Sequence, residues 1–301
     1  MSDDRVARNV DGYLDHLGPT DLGIVLGLAG RRPPADAAEA HALLRREPGL
    51  LHAALASDEA AHLLLRAGAG DPDREPIVRA SPFLTFAVAV ERVAEDLRHA
   101  THVPEWVGPR RRLPLLGADD LREVLADRPR RAFLAALLAS FTRVASGTVW
   151  SRTPRGWRRQ RFSELDPMRL AGMLDVLPES RHPAVHRRLG DLSLFLAGVF
   201  PDHTAGRAFR PIDLQRLGRA AAVPGRPAEA LEEALETRGG VGLLDHLGER
   251  WYRLAARAPE AAGSARLLEG VAERFVNARR ALNLLADRHL FDRARSWFPS
   301  P

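Results

Sequence analysis

The sequence predicts an all-α protein, a multi-helix bundle in two lobes with one small β-hairpin near residues 148–162. Apolar residues recur at helical spacing along nearly the whole chain, which is typical of helices that pack one face on a core. The chain has 301 residues, 45% of them apolar, and can therefore bury a sizeable core. Strand-forming residues cluster around a short turn in one segment, and this cluster predicts the hairpin.

A break in the helical pattern predicts the two lobes. Before it, the sequence favours several short helices, with Asp36 and Ser57 as N-caps. Residues 67–80 then contain two Gly and two Pro among charged residues, a composition typical of a linker. We therefore expect an N-terminal helical subdomain over residues 1–72 and a C-terminal helical domain over residues 81–301, into which the basic hairpin is inserted.

Helices are predicted to resume directly after the linker. A long helix is expected to begin at Ser81-Pro82 and to end before Pro104. The Pro-rich stretch that follows it, which carries Arg110, Arg111 and Arg112, is predicted to be a turn. Residues 129–145 form the most apolar helical run in the chain, so we expect that helix to be central.

The hairpin prediction depends on two short runs, Thr148–Thr153 and Trp157–Phe162. They contain Thr, Val, Trp and Phe and flank a three-residue Pro-Arg-Gly loop. A loop of that length would pair Thr153 with Trp157, set Trp150 opposite Gln160, and place Arg152 opposite Arg158. Two facing arginines cost stability unless water or an anion separates them.

The rest of the chain is predicted to be helical. Helices are expected to resume at Asp166-Pro167 and to cover residues 182–200, 211–221, 227–236, 241–257 and 264–288, with a joint at Gly239-Gly240. Their apolar faces, together with that of the central helix, predict a set of core side chains: Phe133, Leu137, Phe141, Leu194, Phe195, Val199 and Phe275.

The run Leu189–Pro201 contains Leu-Gly-Asp, Ser-Leu-Phe, Gly and Phe-Pro in that order. It resembles a signature in a family of bacterial hypothetical proteins, which are also similar at Phe133–Phe141 and at Leu247–Ala255. The resemblance covers about residues 130–290 and implies a helical fold, without an activity, cofactor or catalytic residue. Within this run, we expect Asp191 and Ser193 to be buried and hydrogen-bonded, and Gly190 and Gly198 to allow close helix contact.

Charge is the strongest functional signal. Nine arginines lie between Arg128 and Arg161, with no Asp or Glu from Arg128 to Ser163. The whole chain is only +5, so the remainder carries a formal charge of −4. A local positive field attracts anionic partners, and arginines next to aromatic rings suit phosphates and bases or an acidic peptide. The predicted anion-binding residues are Arg152, Arg155, Arg158, Arg159, Arg161, Trp150 and Trp157.

Two alternatives stay open at this point. The arginines could pair with acidic residues of the same chain, and the tryptophans could be core. The chain could also be a ferritin-like di-metal oxidase, because Glu-x-x-His places two metal ligands on one helical face. The candidate ligands for that reading are Glu59, His62, Glu95, Asp96 and His99, although their distribution over the helices does not match such centres.

Composition excludes several kinds of chemistry. The chain has no Cys and no Lys, so thiolate nucleophiles, disulfides and Schiff-base lysines are absent. It also lacks a P-loop, a nucleophile elbow and a His-Glu-x-x-His motif. His182 and His186, four residues apart, are expected to be surface histidines. We therefore predict a cytoplasmic, non-enzymatic binding or regulatory module with no cofactor, whose partner is a nucleic acid or an acidic protein.

Overall fold

The computed structural model describes residues 12–66, 80–116, 118–153 and 156–291. Contacts divide the chain into two compact units, each discontinuous in sequence. The first contains the described parts of Met1–Val103, Leu115–Thr142 and Leu284–Pro299, and the second contains those of Pro104–Pro114 and Arg143–Asn283. This division differs from the sequence boundary between residues 72 and 81, because the long helix after the linker belongs to the first unit.

The described helices confirm the all-α prediction. In the first unit they are α1 (Pro19–Leu28), α2 (Ala37–Arg46), α3 (Pro48–Ala56), α4 (Asp58–Ala61), a π-helical turn (His62–Arg66), α5 (Pro82–His99), α6 (Asp119–Ala126) and α7 (Arg128–Ser140). In the second they are α8 (Pro167–Ala171), α9 (His182–Val199), α10 (Pro201–Ala205), α11 (Pro211–Ala220), α12 (Pro227–Ala256) and α13 (Ala265–Glu273). Short 3₁₀ turns cover Gly172–Asp175, Glu179–Arg181 and Pro259–Ala261. Finally, α14 (Phe275–Leu285) runs into a π-helical turn, Ala286–Leu290.

Helix α5 organises the core of the first unit. It begins at an N-cap, since the Ser81 hydroxyl accepts a hydrogen bond from the backbone N–H of Leu84 at 3.2 Å. Its apolar residues are buried, and it packs mainly on α7. Phe133, Leu137 and Phe141, all predicted core residues, are at most 6% exposed.

The four remaining core predictions, Leu194, Phe195, Val199 and Phe275, are confirmed in the second unit, where α9 packs mainly on α12. Both glycines of the signature run lie at close contacts. A Cβ at Gly190 would lie 2.6 Å from the Tyr252 ring, and one at Gly198 would lie 2.7 Å from Leu282 Cβ. The predicted joint in α12 is also present, because Gly239 adopts a left-handed conformation, φ +66°, that interrupts the helix.

The described residues form two hairpins, whereas the sequence predicted one. The additional hairpin pairs β1 (His102–Gly108) with β2 (Arg111–Leu116), in the segment predicted to be a Pro-rich turn. Pro104 and Pro114 caused that misreading, because proline disrupts central strands. In a two-stranded sheet both strands are edges, and proline is therefore tolerated.

The predicted hairpin is formed by β3 (Ser146–Thr153) and β4 (Gly156–Ser163). Strand β4 contacts α8 and the 3₁₀ turn Gly172–Asp175 of the second unit. None of the helices in the described part of the chain is long and apolar enough to cross a membrane.

Candidate functional site

The β3–β4 ladder has a register one residue away from the prediction. Thr153 pairs with Gly156, and Trp150 lies opposite Arg159. The connection is thus two residues long, Pro154-Arg155, and not three. The shift also places Arg152 opposite Trp157, so the predicted clash between Arg152 and Arg158 does not arise.

Alternation along the strands separates two sides of the hairpin, because successive side chains point to opposite faces of a sheet. On one side, Thr148, Trp150, Arg159 and Arg161 are all exposed. On the other, Val149, Gln160 and Phe162 are partly buried. We call the side that carries Thr148, Trp150, Arg159 and Arg161 the outer face. It combines two guanidinium groups with one large aromatic ring.

The inner side anchors the hairpin through close contacts. A Cβ at Gly172 would lie 3.0 Å from Gln160 Nε2, so the absence of a side chain there lets the Gln160 amide pack on the 3₁₀ turn. A Cβ at Gly147 would lie 3.2 Å from the Phe162 ring, which covers the cross-strand glycine. The inner side therefore has a packing role, which leaves the outer face free for solvent.

The outer arginines lack acidic partners among the described residues. The Arg159 guanidinium lies 5.9 Å from the centre of the Trp150 ring, in cation–π geometry, and Trp150 is still 59% exposed. Neither Arg159 nor Arg161 forms an ion pair with a described carboxylate. Their positive charge is therefore not neutralised by contacts within the described chain.

The carboxylates just after β4 are committed elsewhere. Glu164 accepts hydrogen bonds from Arg188, at 3.1 Å, and from the backbone N–H of Ala145, at 3.0 Å. Asp166 caps α8 and forms ion pairs with Arg169 and Arg207, each at 3.4 Å. These contacts fix the base of the hairpin to its surroundings and keep both carboxylates occupied.

The nine arginines of the basic segment are divided between the two units. Arg128, Arg130 and Arg131 belong to the first unit, on α7. Arg131 is buried and forms an ion pair with Glu91, and Arg130 forms one with Asp127 at 3.3 Å. The alternative of internal pairing thus holds for these two, whereas the outer-face arginines behave differently.

The structure locates the other predicted anion-binding residues only partly. Arg155 lies outside the described residues, as do the side chains of Arg152, Trp157 and Arg158. The backbone ladder puts positions 152 and 157 on the side of Trp150 and Arg159. Arg158 pairs with Ser151, so its ladder position is on the inner side. Thr148 also lies on the outer face, although the sequence analysis did not predict it. Side chains alternate along a strand, so its position two residues before Trp150 could have predicted this.

The candidate metal ligands do not form a cluster. In the described chain, no group of three or more His, Asp or Glu side chains has an arrangement that could hold a metal ion. Asp96 pairs with Arg288 at 2.7 Å and Glu95 pairs with Arg98 at 2.7 Å, while Glu59, His62 and His99 are exposed. The carboxylates on α5 are thus engaged by guanidinium groups.

Comparison with known proteins adds no family: no protein-family model, curated protein or solved structure matches the chain. The resemblance of the Leu189–Pro201 run to bacterial hypothetical proteins stays a prediction. What the run does in this fold is visible. Tyr252 donates a hydrogen bond to Asp191 at 2.9 Å, whereas the buried Ser193 hydroxyl has no partner in the described residues.

Proposed function

We propose that this chain is a non-enzymatic nucleic-acid-binding protein, and that the outer face of the β3–β4 hairpin binds a single strand. One observation supports the proposal: two exposed arginines, which have no acidic partner among the described residues, share one side of the ladder with an exposed tryptophan. The cytoplasm is the location that we propose for this binding.

The arginines supply electrostatic attraction. Arg159 and Arg161 are two residues apart on one strand, which separates them by roughly 6.6 Å along the sheet. Each guanidinium can donate two hydrogen bonds to one phosphate, a geometry that Lys does not offer.

The exposed ring favours nucleic acid over an acidic peptide. An acidic peptide needs only cations, and nothing in its chemistry calls for a flat aromatic surface. A base can stack on such a surface whatever its sequence, with a contribution of about 1–3 kcal/mol per base. More than half of Trp150 remains accessible even with Arg159 over its ring, and this favours a single-stranded, weakly sequence-selective ligand.

The test measures the affinity of a fluorescein-labelled single-stranded oligonucleotide by anisotropy at low salt. We expect the double variant Arg159→Gln/Arg161→Gln to weaken binding by about tenfold or more, because each lost charge-assisted contact is worth about 1.5–3 kcal/mol. Trp150→Ala should weaken it by about fivefold or more through lost stacking.

The matched control removes two exposed arginines, one at the N-cap of α12 and one within it, in the variant Arg226→Gln/Arg253→Gln. These residues pair with Glu229 and Glu249, so the same change in net charge should leave the affinity within about twofold. Equal losses in both double variants would mean that net charge alone drives binding. Displacement of the oligonucleotide by polyglutamate at equal charge would instead assign the face to an acidic protein.

A further inference from the structure

A second cluster of charged groups in the second unit lies apart from the outer face. A cleft of about 340 Å³ is bounded by α9, α11, the end of α12 and the turn after α8. It is lined by His182, His186, Arg216, Arg219, Asp175 and the apolar side chains of Leu174 and Leu254. Its volume is in the range of pockets that take small molecules.

The two arginines of this cleft have no carboxylate bound to them in the described chain. Arg216 and Arg219 are three residues apart on α11 and therefore lie on neighbouring positions of one helix face. Neither forms an ion pair with a described carboxylate; Arg219 only donates a hydrogen bond to the Gln215 carbonyl at 3.5 Å. Asp175, on another wall of the cleft, likewise has no cationic partner in the described chain.

The two histidines are held in place and present a polar edge. Their ring centres are 6.4 Å apart, and His182 Nε2 lies 3.1 Å from the Leu177 carbonyl oxygen. Burial, followed by the charge of His182, lowers the pKa of His186, while a hydrogen bond to the Ala220 backbone opposes that shift. A neutral ring that donates one hydrogen bond to a carbonyl keeps its other nitrogen as an acceptor.

Local backbone strain marks the same cleft. Ala222, which lines it, has φ +49°, a left-handed conformation that an L-residue adopts at a cost. Arg250 holds this turn by donating hydrogen bonds to the carbonyls of Ala221, at 2.9 Å, and Ala222, at 2.5 Å. The carbonyls at the end of α11 are thus turned to Arg250, while the guanidinium groups of Arg216 and Arg219 line the cleft.

We infer that this cleft binds a small organic anion that also carries a hydroxyl group, such as a phosphate ester or a hydroxycarboxylate. Arg216 and Arg219 would bind the anionic oxygens, and a histidine nitrogen or Asp175 would accept the hydrogen bond of the hydroxyl. Leu174 and Leu254 would contact the carbon skeleton. This site is independent of the nucleic-acid proposal, since none of its residues lies on the hairpin.

The experiment follows the ring resonances of His182 and His186 by NMR at constant ionic strength. The probes are inorganic phosphate, glycerol phosphate and citrate, with sodium chloride as the ionic reference. We expect the ring resonances of both histidines to shift in a saturable manner with glycerol phosphate or with citrate. The probe that binds more tightly shows whether the site prefers a phosphate or a carboxylate. The variant Arg216→Gln/Arg219→Gln should weaken that binding by about tenfold or more.

The hairpin variant Arg159→Gln/Arg161→Gln serves as the control and should bind the same probe with unchanged affinity. It also separates the two proposals, because nucleic-acid binding can fail while the cleft still binds its anion. Absence of a saturable shift with every probe would overturn the inference. So would equal affinity in the Arg216→Gln/Arg219→Gln variant, provided that its circular dichroism and thermal unfolding match those of the parent.

Discussion

At the residue scale, a buried ionic network links four elements of the second unit, namely β1, α9, α12 and α14. Arg279 donates hydrogen bonds to Asp245, at 3.1 Å, and to Asn283, at 2.9 Å, while Arg280 binds Glu105 of β1. Asn283 in turn donates to the carbonyls of α9. Burial raises the pKa of Asp245 to about 6, although the Arg279 charge acts in the opposite direction. One Asp245 oxygen has no hydrogen-bond partner in the described residues, consistent with a costly charge.

This shift predicts a pH dependence of stability with a definite sign. Between about pH 4 and pH 6 the folded chain holds a proton on Asp245 that the unfolded chain has released. The contribution of this group to the free energy of unfolding is therefore complete at low pH and falls as pH rises through about 6, by roughly 3 kcal/mol. The variant Asp245→Asn removes the carboxyl group that binds this proton.

Urea titrations of both proteins across that range provide the measurement. The stability of the parent relative to Asp245→Asn should decrease as the pH is raised, and other carboxylates cancel in the difference. A relative stability that is constant, or that increases with pH, would show that Asp245 has an ordinary pKa.

A second buried carboxylate, Glu91 in the first unit, is paired with a buried arginine. Glu91 accepts a hydrogen bond from the Tyr13 hydroxyl at 2.7 Å and forms an ion pair with Arg131. His52 packs edge-on against Tyr13, and neither of its ring nitrogens has a described partner. Burial, aided by the charges of Arg128 and Arg131, lowers the pKa of His52 to about 4, so the ring is neutral near pH 7.

Removal of one partner of this ion pair should be much worse than removal of both. Glu91→Leu leaves a buried guanidinium without a counter-charge, and we expect it to lower the free energy of unfolding by about 3–5 kcal/mol. Glu91→Leu/Arg131→Met should recover a large part of that loss. Urea unfolding of the three proteins measures both differences, and a double variant no more stable than the single one would refute the argument.

At the element scale, glycines determine how closely α9, α12 and α14 approach. A Cβ at Gly248 would lie 2.3 Å from the Phe275 ring and 2.9 Å from Ser193 Cβ. Neither neighbour can move far, since both are buried. The small residues in the Leu189–Pro201 run and in its partner helix therefore have a packing role.

Gly248→Ala should consequently destabilise the protein by about 1–3 kcal/mol, the usual cost of overpacking a core. Gly23→Ala in α1 is the matched comparison, because a Cβ there would meet nothing within 4 Å. That change should stabilise the helix by about 0.5–1 kcal/mol, as alanine loses less backbone entropy. Chemical unfolding measures the change in the free energy of unfolding for each variant. If both changes had the same sign, the close contact at Gly248 would not limit how closely the helices pack.

The elements also show which features sequence alone could predict. Long helices such as α9 have a clear period, and their apolar faces correctly predicted the core. The β1–β2 hairpin was missed because Pro104 and Pro114 suggest a turn. Both prolines are tolerated because this sheet has only two strands in the described residues, so each strand is an edge. The β3–β4 register was shifted by one residue because loop length, not composition, determines it.

At the scale of the whole molecule, the decisive property is which arginines remain unpaired. A sequence reports the number of charges in a segment, whereas pairing depends on contacts between residues far apart in the chain. Glu91 and Arg131 are forty residues apart in the chain, and Glu164 and Arg188 are twenty-four residues apart. The basic segment therefore contains the predicted hairpin, but two of its arginines, Arg130 and Arg131, are neutralised by carboxylates that sequence alone does not assign to them.

The salt dependence of oligonucleotide binding is the most direct measurement of phosphate contacts at the outer face. Neutralised phosphates release counterions, so log affinity falls with log salt at a slope of about −0.7 per phosphate on a single strand. If Arg159 and Arg161 each bind one phosphate, the slope for Arg159→Gln/Arg161→Gln should be less steep than that of the parent by about 1.4. The Arg226→Gln/Arg253→Gln control should keep the parent slope. Identical slopes for the parent and the hairpin variant would contradict the claim that the outer face binds nucleic acid.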